Sequence, residues 1–239
     1  VKNVMGVTVP NSGGLKGIDV AATLGVLGGD AGRDLEVLQS IQPEHIDEAK
    51  KLDMEAWAYD ENGWPSGFVG GKLLQKEEYR ACFLEYKIEN EFDFSAFCVY
   101  EKTNFGYKRI FGKKEKLKEY HCIYKRRCSS NTDILNREVV EAFIAETHEK
   151  YYERFKDSFG RELAGFFTDE PQYYRWATPY PVSVGEEFEK KYGEDVKDGL
   201  IYLFLKDPVG YSFRTRYYTL LNELYVRVYY KSLYDWCSQ

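Results

Sequence analysis

The chain has 239 residues, 44% of them hydrophobic and 30% charged, which is enough material for a sizeable buried core. Its net charge of -6 argues against a nucleic acid or an anionic membrane as partner, because both select a basic face. No apolar run is long enough for a membrane-spanning helix, and the start of the chain lacks the pattern of a secretory signal, so a cytoplasmic location is expected.

The first forty-odd residues differ from the rest. Aromatic residues make up 17% of the chain, yet none precedes Trp57. Residues 1–44 are instead rich in Gly and Val, and their "GVLGGDAG" fits neither a dinucleotide-binding fingerprint nor a phosphate loop. This segment reads as an atypical unit of its own. The start at Val1 suggests that a further piece precedes it.

Conventional signals begin at Pro43. "PEHIDEAKKL" predicts a short helix with acids early and lysines late. "MEAWAYDE", 54–61, predicts a strand ending in acids, followed by the turn "NGWPSG". Residues 76–130 hold short runs rich in Tyr, Phe, Val and Ile, which predict a small antiparallel insertion. Lys113, Lys114, Lys116 and Lys118 within it are interrupted by acids and read as a solvated surface.

The stretch 135–155 carries a helical stripe of Val139, Val140, Phe143, Ile144, Thr147, Tyr151 and Phe155, with Asn136 as its N-cap. "ELAGFFTDE" predicts a buried strand, "GEEFEKKYG" a helix, and the residues from Tyr211 a long helix whose core stripe includes Tyr217 and Tyr225. His148, alone in mid-helix, is expected to make a structural hydrogen bond. Alternation of buried strands with amphipathic helices predicts parallel α/β architecture, either a (β/α) barrel or an open parallel sheet. On either plan, residues 45–75 and 131–239 form the α/β body and 76–130 the insertion.

In such proteins chemistry gathers at the carboxyl ends of strands. Both confident strands end in acids, Asp60-Glu61 and Asp169-Glu170. Pro171 pushes the preceding Glu170 towards extended backbone, and strand alternation separates the paired side chains. Glu170 is therefore expected to face the cavity, with Asp169 in support and one of Asp60 and Glu61 pointing inwards. Trp64, Tyr173, Tyr174, Trp176 and Tyr180 lie in the following loops, where aromatic faces beside carboxylates suit a carbohydrate. Cys82, Cys98, Cys122, Cys128 and Cys237 show no C-x-x-C spacing, and the chain has three histidines. No metal site or other cofactor is expected, and a reducing compartment fits the scattered thiols.

"WAYDENGWPSGFVGG", "LNREVVEAFIAETHEKYYERF", "GFFTDEP" and "YKSLYDWC" together resemble bacterial glycoside hydrolases related to family 106, the α-L-rhamnosidase-like group. The resemblance spans residues 45–239. It implies the N-terminal part of a TIM-type barrel that hydrolyses glycosidic bonds, with Glu170 as general acid. Asp60, Glu61 and Trp64 fall on a substrate-contacting motif, and Asp169, Tyr173 and Trp176 are expected to assist. It also implies that the second catalytic carboxylate and the rest of the barrel lie beyond this chain, which alone would be inactive. A non-catalytic carbohydrate-binding or assembly module is the alternative.

Overall fold

The computed structural model describes residues 8, 9, 12–14, 24, 27, 28, 56–161, 163–173 and 177–239. The helix expected over "PEHIDEAKKL", nearly all of the Gly/Val-rich segment, and Tyr174 and Trp176 lie outside the described residues. The chain divides into two compact units, one of residues 1–70 and 145–171, the other of residues 71–144 and 172–239. The β-rich stretch 76–130 thus shares the second unit with the C-terminal helices.

In the first unit, strand β1 (Ala56–Tyr59) pairs in parallel with β6 (Leu163–Phe167), so that Trp57 lies opposite Gly165 and Tyr59 opposite Phe167. The pairing runs one step further through Asp60 N–H to Phe167 O at 3.2 Å. Gly165 is required by its neighbour, because a Cβ there would lie 2.9 Å from the Trp57 ring. Helix α2 (His148–Phe155) packs on β6 through residues at helical spacing. The His148 ring lies 4.3 Å from Phe166, and Tyr151 meets the same ring edge-on at 5.5 Å. His148 is buried, and burial lowers its pKa to about 4, so the ring is neutral. Its Nδ1 pairs with the Thr147 hydroxyl at 2.8 Å.

The second unit is built on a five-stranded sheet in the order β4-β3-β5-β2-β7. Its strands are β2 (Arg80–Glu89), β3 (Cys98–Thr103), β4 (Gly106–Ile110), β5 (Tyr120–Thr132) and the short β7 (Thr178–Pro179), all paired antiparallel. Val99, Ile110, Tyr120, Cys122 and Tyr124 form one buried cluster on it. Helix α1 (Arg137–Glu146) begins in this unit, capped as expected by Asn136 Oδ1, which accepts from Glu138 N–H at 3.1 Å. Helix α3 (Val184–Tyr192) stops at Gly193, whose φ of 70° allows its N–H to reach Glu189 O at 2.8 Å. Helix α4 (Tyr211–Leu224) continues through a π-helical stretch, Tyr225–Tyr230, into α5 (Lys231–Cys237).

The barrel expectation is therefore corrected, and so is the open parallel sheet. Parallel pairing between strands among the described residues is confined to β1 and β6, while the larger sheet is antiparallel. Helix-strand alternation along a sequence constrains neighbours in the chain, whereas pairing is decided by distant partners. Among the described residues, no helix is long and apolar enough to cross a membrane.

Close packing in the second unit gives a direct test. Gly199 is buried directly against the Phe213 ring, with no room for a methyl group. Gly199→Ala should lower stability by ~1–3 kcal/mol through overpacking, as measured by urea unfolding. Phe213→Leu in the same chain should recover part of that loss.

Candidate functional site

Asp60 and Glu61 leave β1 side by side, but the fold gives them different work. The Glu61 carboxylate is wrapped by the loop that follows it. Its Oε2 accepts from the N–H groups of Gly67, Phe68 and Val69 at 3.0, 2.9 and 2.8 Å, and its Oε1 from Asn62 at 2.8 Å and Gly70 at 2.5 Å. Bringing so many amides to one carboxylate needs unusual backbone. Gly67 and Gly70 have φ of 126° and 56°, and Val69, a β-branched residue, is held at 54°. Such a conformation costs a non-glycine residue about 1–2 kcal/mol, which the charge-assisted bonds offset. Glu61 is thus the anchor of the loop 62–70.

Asp60 is 1% exposed. Its Oδ1 accepts from the Ser66 hydroxyl at 2.7 Å, whereas its Oδ2 is buried without a donor in good hydrogen-bond geometry among the described residues, the Thr168 hydroxyl lying close to the carboxyl group. Burial raises its pKa to about 6, and the charges of Glu61 and Asp169 act in the same direction. The Ser66 and Thr168 hydroxyls oppose that rise without overcoming it. Ser66 also fixes the end of β6. Its N–H donates to Asp169 O at 2.9 Å, and its hydroxyl oxygen accepts from Asp169 N–H at 2.8 Å.

Asp169 is buried, and its Oδ2 lies 3.4 Å from the Tyr59 hydroxyl, which also donates to Gly63 O. Burial, then the nearby carboxylates, raise the Tyr59 pKa and keep the phenol protonated.

Beside these groups lies a cavity of about 360 Å³ within the first unit. Tyr59, Asp60, Glu61, Asn62 and Val69 line it from the strand and loop side. Helix α2 and its N-cap contribute Thr147, Lys150, Tyr151, Arg154 and Phe155, the face defined by positions three and four apart. Lys150 pairs with Glu146 at the exposed mouth, and the Arg154 guanidinium lies 5.5 Å from the centre of the Phe155 ring. In a larger cavity of about 660 Å³ in the second unit, Lys191 pairs with Glu223 and Arg227 with Glu187. Among the described residues, no group of three or more His, Cys, Asp or Glu side chains is placed to hold a metal ion.

The structure brings Asp60, Glu61 and Asp169 together and leaves the other expected site residues apart. Glu170 is exposed, and its φ is 43° rather than extended. Asp169 is pinned through both its N–H and its C=O, so the chain turns at the next residue despite the proline that follows. Trp64 is 40% exposed in the anchored loop and does not line the cavity. Tyr173 belongs to the second unit, where it meets the Tyr225 ring at 5.0 Å, and Tyr180 is buried against Phe97. Lys150, Tyr151 and Arg154 escaped the sequence reading because Tyr151 belongs to the apolar stripe and the cations resemble any solvated helix face.

Curated proteins similar to this chain are described as UPF0597 proteins. One from Lachnoclostridium phytofermentans is 38% identical over 78 residues, 33% of this chain and 16% of that protein. One from Finegoldia magna is 48% identical over 50 residues, 21% of this chain and 12% of that protein. The UPF0597 protein YhaM of Salmonella paratyphi C is 50% identical over 52 residues, 22% of this chain and 12% of that protein. The chain thus spans less than a fifth of the length of each of these relatives. No family model matches the chain, and no solved structure matches it significantly. The expected kinship with α-L-rhamnosidase-like glycoside hydrolases is corrected accordingly: the similar proteins carry another family name, the fold is not a barrel, and neither glycosidase activity nor its carbohydrate-binding alternative is supported.

Proposed function

We propose that the first unit binds a small polar molecule in the cavity beside Asp60, through a hydrogen bond donated by the ligand to Asp60 Oδ2. The observation that carries this reading is that Asp60, whose buried Oδ2 lacks a donor in hydrogen-bond geometry among the described residues, is one of the residues lining the cavity. Leaving such an acceptor unmet costs about 1–3 kcal/mol, and more when it is charged. A donor entering the cavity recovers that cost. The neighbouring acceptors do not compete for the donor, since Glu61 is occupied by loop amides. The cavity volume lies at the small end of the range for small-molecule sites.

Saturation-transfer NMR with glycerol and with ethanolamine tests the reading. Transfer is expected with the unaltered chain, and it should disappear in Asp60→Ala and in Val69→Trp, which fills the cavity. Glu170→Gln, altered outside the cavity, should keep it. Transfer that persists in a folded Asp60→Ala chain, or none in the unaltered chain, would sink the proposal.

A further inference from the structure

The long C-terminal helix of the second unit differs on its two faces. Phe213, Tyr217, Leu220, Leu221 and Leu224 of α4, with Val228 and Tyr229 of the π-helical stretch, are buried. The outer face carries Tyr211, Tyr218, Val226, Tyr230 and Tyr234. Tyr211 and Tyr234 are 70% and 69% exposed, and the other three between 43% and 53%.

The π-helical stretch keeps these side chains in one row. In an uninterrupted α-helix, each four-residue step from Tyr218 through Asn222, Val226 and Tyr230 to Tyr234 drifts by about 40°, which would carry Tyr234 nearly to the opposite side. Tyr225–Tyr230 winds more slowly, each N–H reaching back five residues, and absorbs most of that drift. A shallow groove of about 520 Å³ runs along the N-terminal half of the row, beside Thr215, Tyr218 and Asn222. The charges that flank the row are satisfied within the chain. Arg216 pairs with Glu194, Glu223 with Lys191, Arg227 with Glu187 and Lys231 with Asp235. An uncharged row of exposed aromatic side chains is the kind of surface that another protein covers.

The row is close to palindromic about Asn222. Tyr218 and Val226 stand four residues to either side of it, and Tyr211 and Tyr234 stand eleven and twelve residues away. A second copy laid antiparallel sets Asn222 against Asn222, Tyr218 against Val226 and Tyr211 beside Tyr234, the self-complementary arrangement of a two-fold dimer. The two Asn222 amides can each donate to the other's carbonyl and so fix the register, as single asparagines do in coiled coils. The area also suffices. The five side chains present roughly 500–600 Å² per copy, so two copies remove on the order of 1,000 Å² or more from water, which is the scale of a specific interface.

We infer that the outer face of this helix is a self-association surface, on which a second copy of the chain docks antiparallel about Asn222.

Sedimentation velocity of the full chain tests this at about 0.15 M salt, where repulsion arising from the net charge of -6 is screened. The mass should rise from 27.9 kDa towards twice that value as the concentration is raised to about 200 µM. Tyr218→Glu and Val226→Glu should each weaken the dimer at least about tenfold, because each would bury a charge without a partner. Both positions are exposed, so helical circular dichroism should be unchanged. With Cys237→Ser as the parent, Asn222→Cys should form an intermolecular disulfide on mild oxidation, whereas Ser212→Cys, off the row, should not. A monomer at every concentration, or a dimer that survives both glutamate substitutions, would overturn the inference. A dimer that both substitutions dissolve but that Asn222→Cys does not cross-link would overturn the antiparallel docking.

Discussion

Replacing Glu61 with Ala should cost at least about 3 kcal/mol of stability, a large share of what holds a typical domain folded. The reason lies in the loop rather than in a cavity left behind. The N–H groups of Asn62, Gly67, Phe68, Val69 and Gly70 all depend on this one carboxylate. Without it they must find water, and Val69 loses the bond that holds it at positive φ. Glu61→Gln should fall between the two. Its one remaining oxygen can serve the three amides at Oε2, while its NH2 group faces the N–H groups of Asn62 and Gly70, which it cannot accept from. Urea unfolding followed by circular dichroism measures both, with the exposed Glu170→Ala as the reference. An Ala variant within about 0.5 kcal/mol of that reference would show that the carboxylate does not organise the loop.

Asp60→Asn should change how stability depends on pH. In the fold the Asp60 pKa is raised to about 6, whereas an unperturbed aspartate titrates near 3.8. Between those values the native chain binds more protons at this site than the unfolded chain. Stability from this group is thus fully present below the unfolded value and is lost as pH rises through about 6. The loss approaches about 3 kcal/mol by pH 8, taking the difference in pKa at its face value. Asparagine stays neutral and escapes it. The stability difference between Asp60→Asn and the unaltered chain should therefore move in the variant's favour between pH 4 and pH 7, then level off. Taking the difference cancels titrating groups distant from Asp60, while Tyr59 and Tyr151 stay protonated over that range. A flat difference would place Asp60 in a more hydrated setting than the structure gives it.

The elements that follow from local chemistry were legible in the sequence. Asn136 announces the start of α1, Gly193 the end of α3, and the acids after "AWAY" and "GFFT" the ends of β1 and β6. What depends on distant partners was not. Nothing within "RACFLEYKIE" says that it pairs antiparallel with Tyr120–Thr132, and nothing within "AWAY" says that its parallel partner is the only one among the described residues. The site divides in the same way. A carboxylate at a strand end can be read from sequence, but its role cannot, because Glu61 is defined by amides up to nine residues away and Asp60 by the lack of them. Short motifs shared with a barrel family were compatible with this different arrangement, since each describes a strand end or a helix and none describes a sheet.

Ser66 has one hydroxyl proton, and it is committed to Asp60 Oδ1 while the oxygen accepts from Asp169 N–H. Protonation of Asp60 is thereby directed to Oδ2, the other oxygen. Above about pH 6 this buried oxygen is an acceptor, and below it a donor, so a change in acidity reverses the direction of the hydrogen bond it can make with its surroundings.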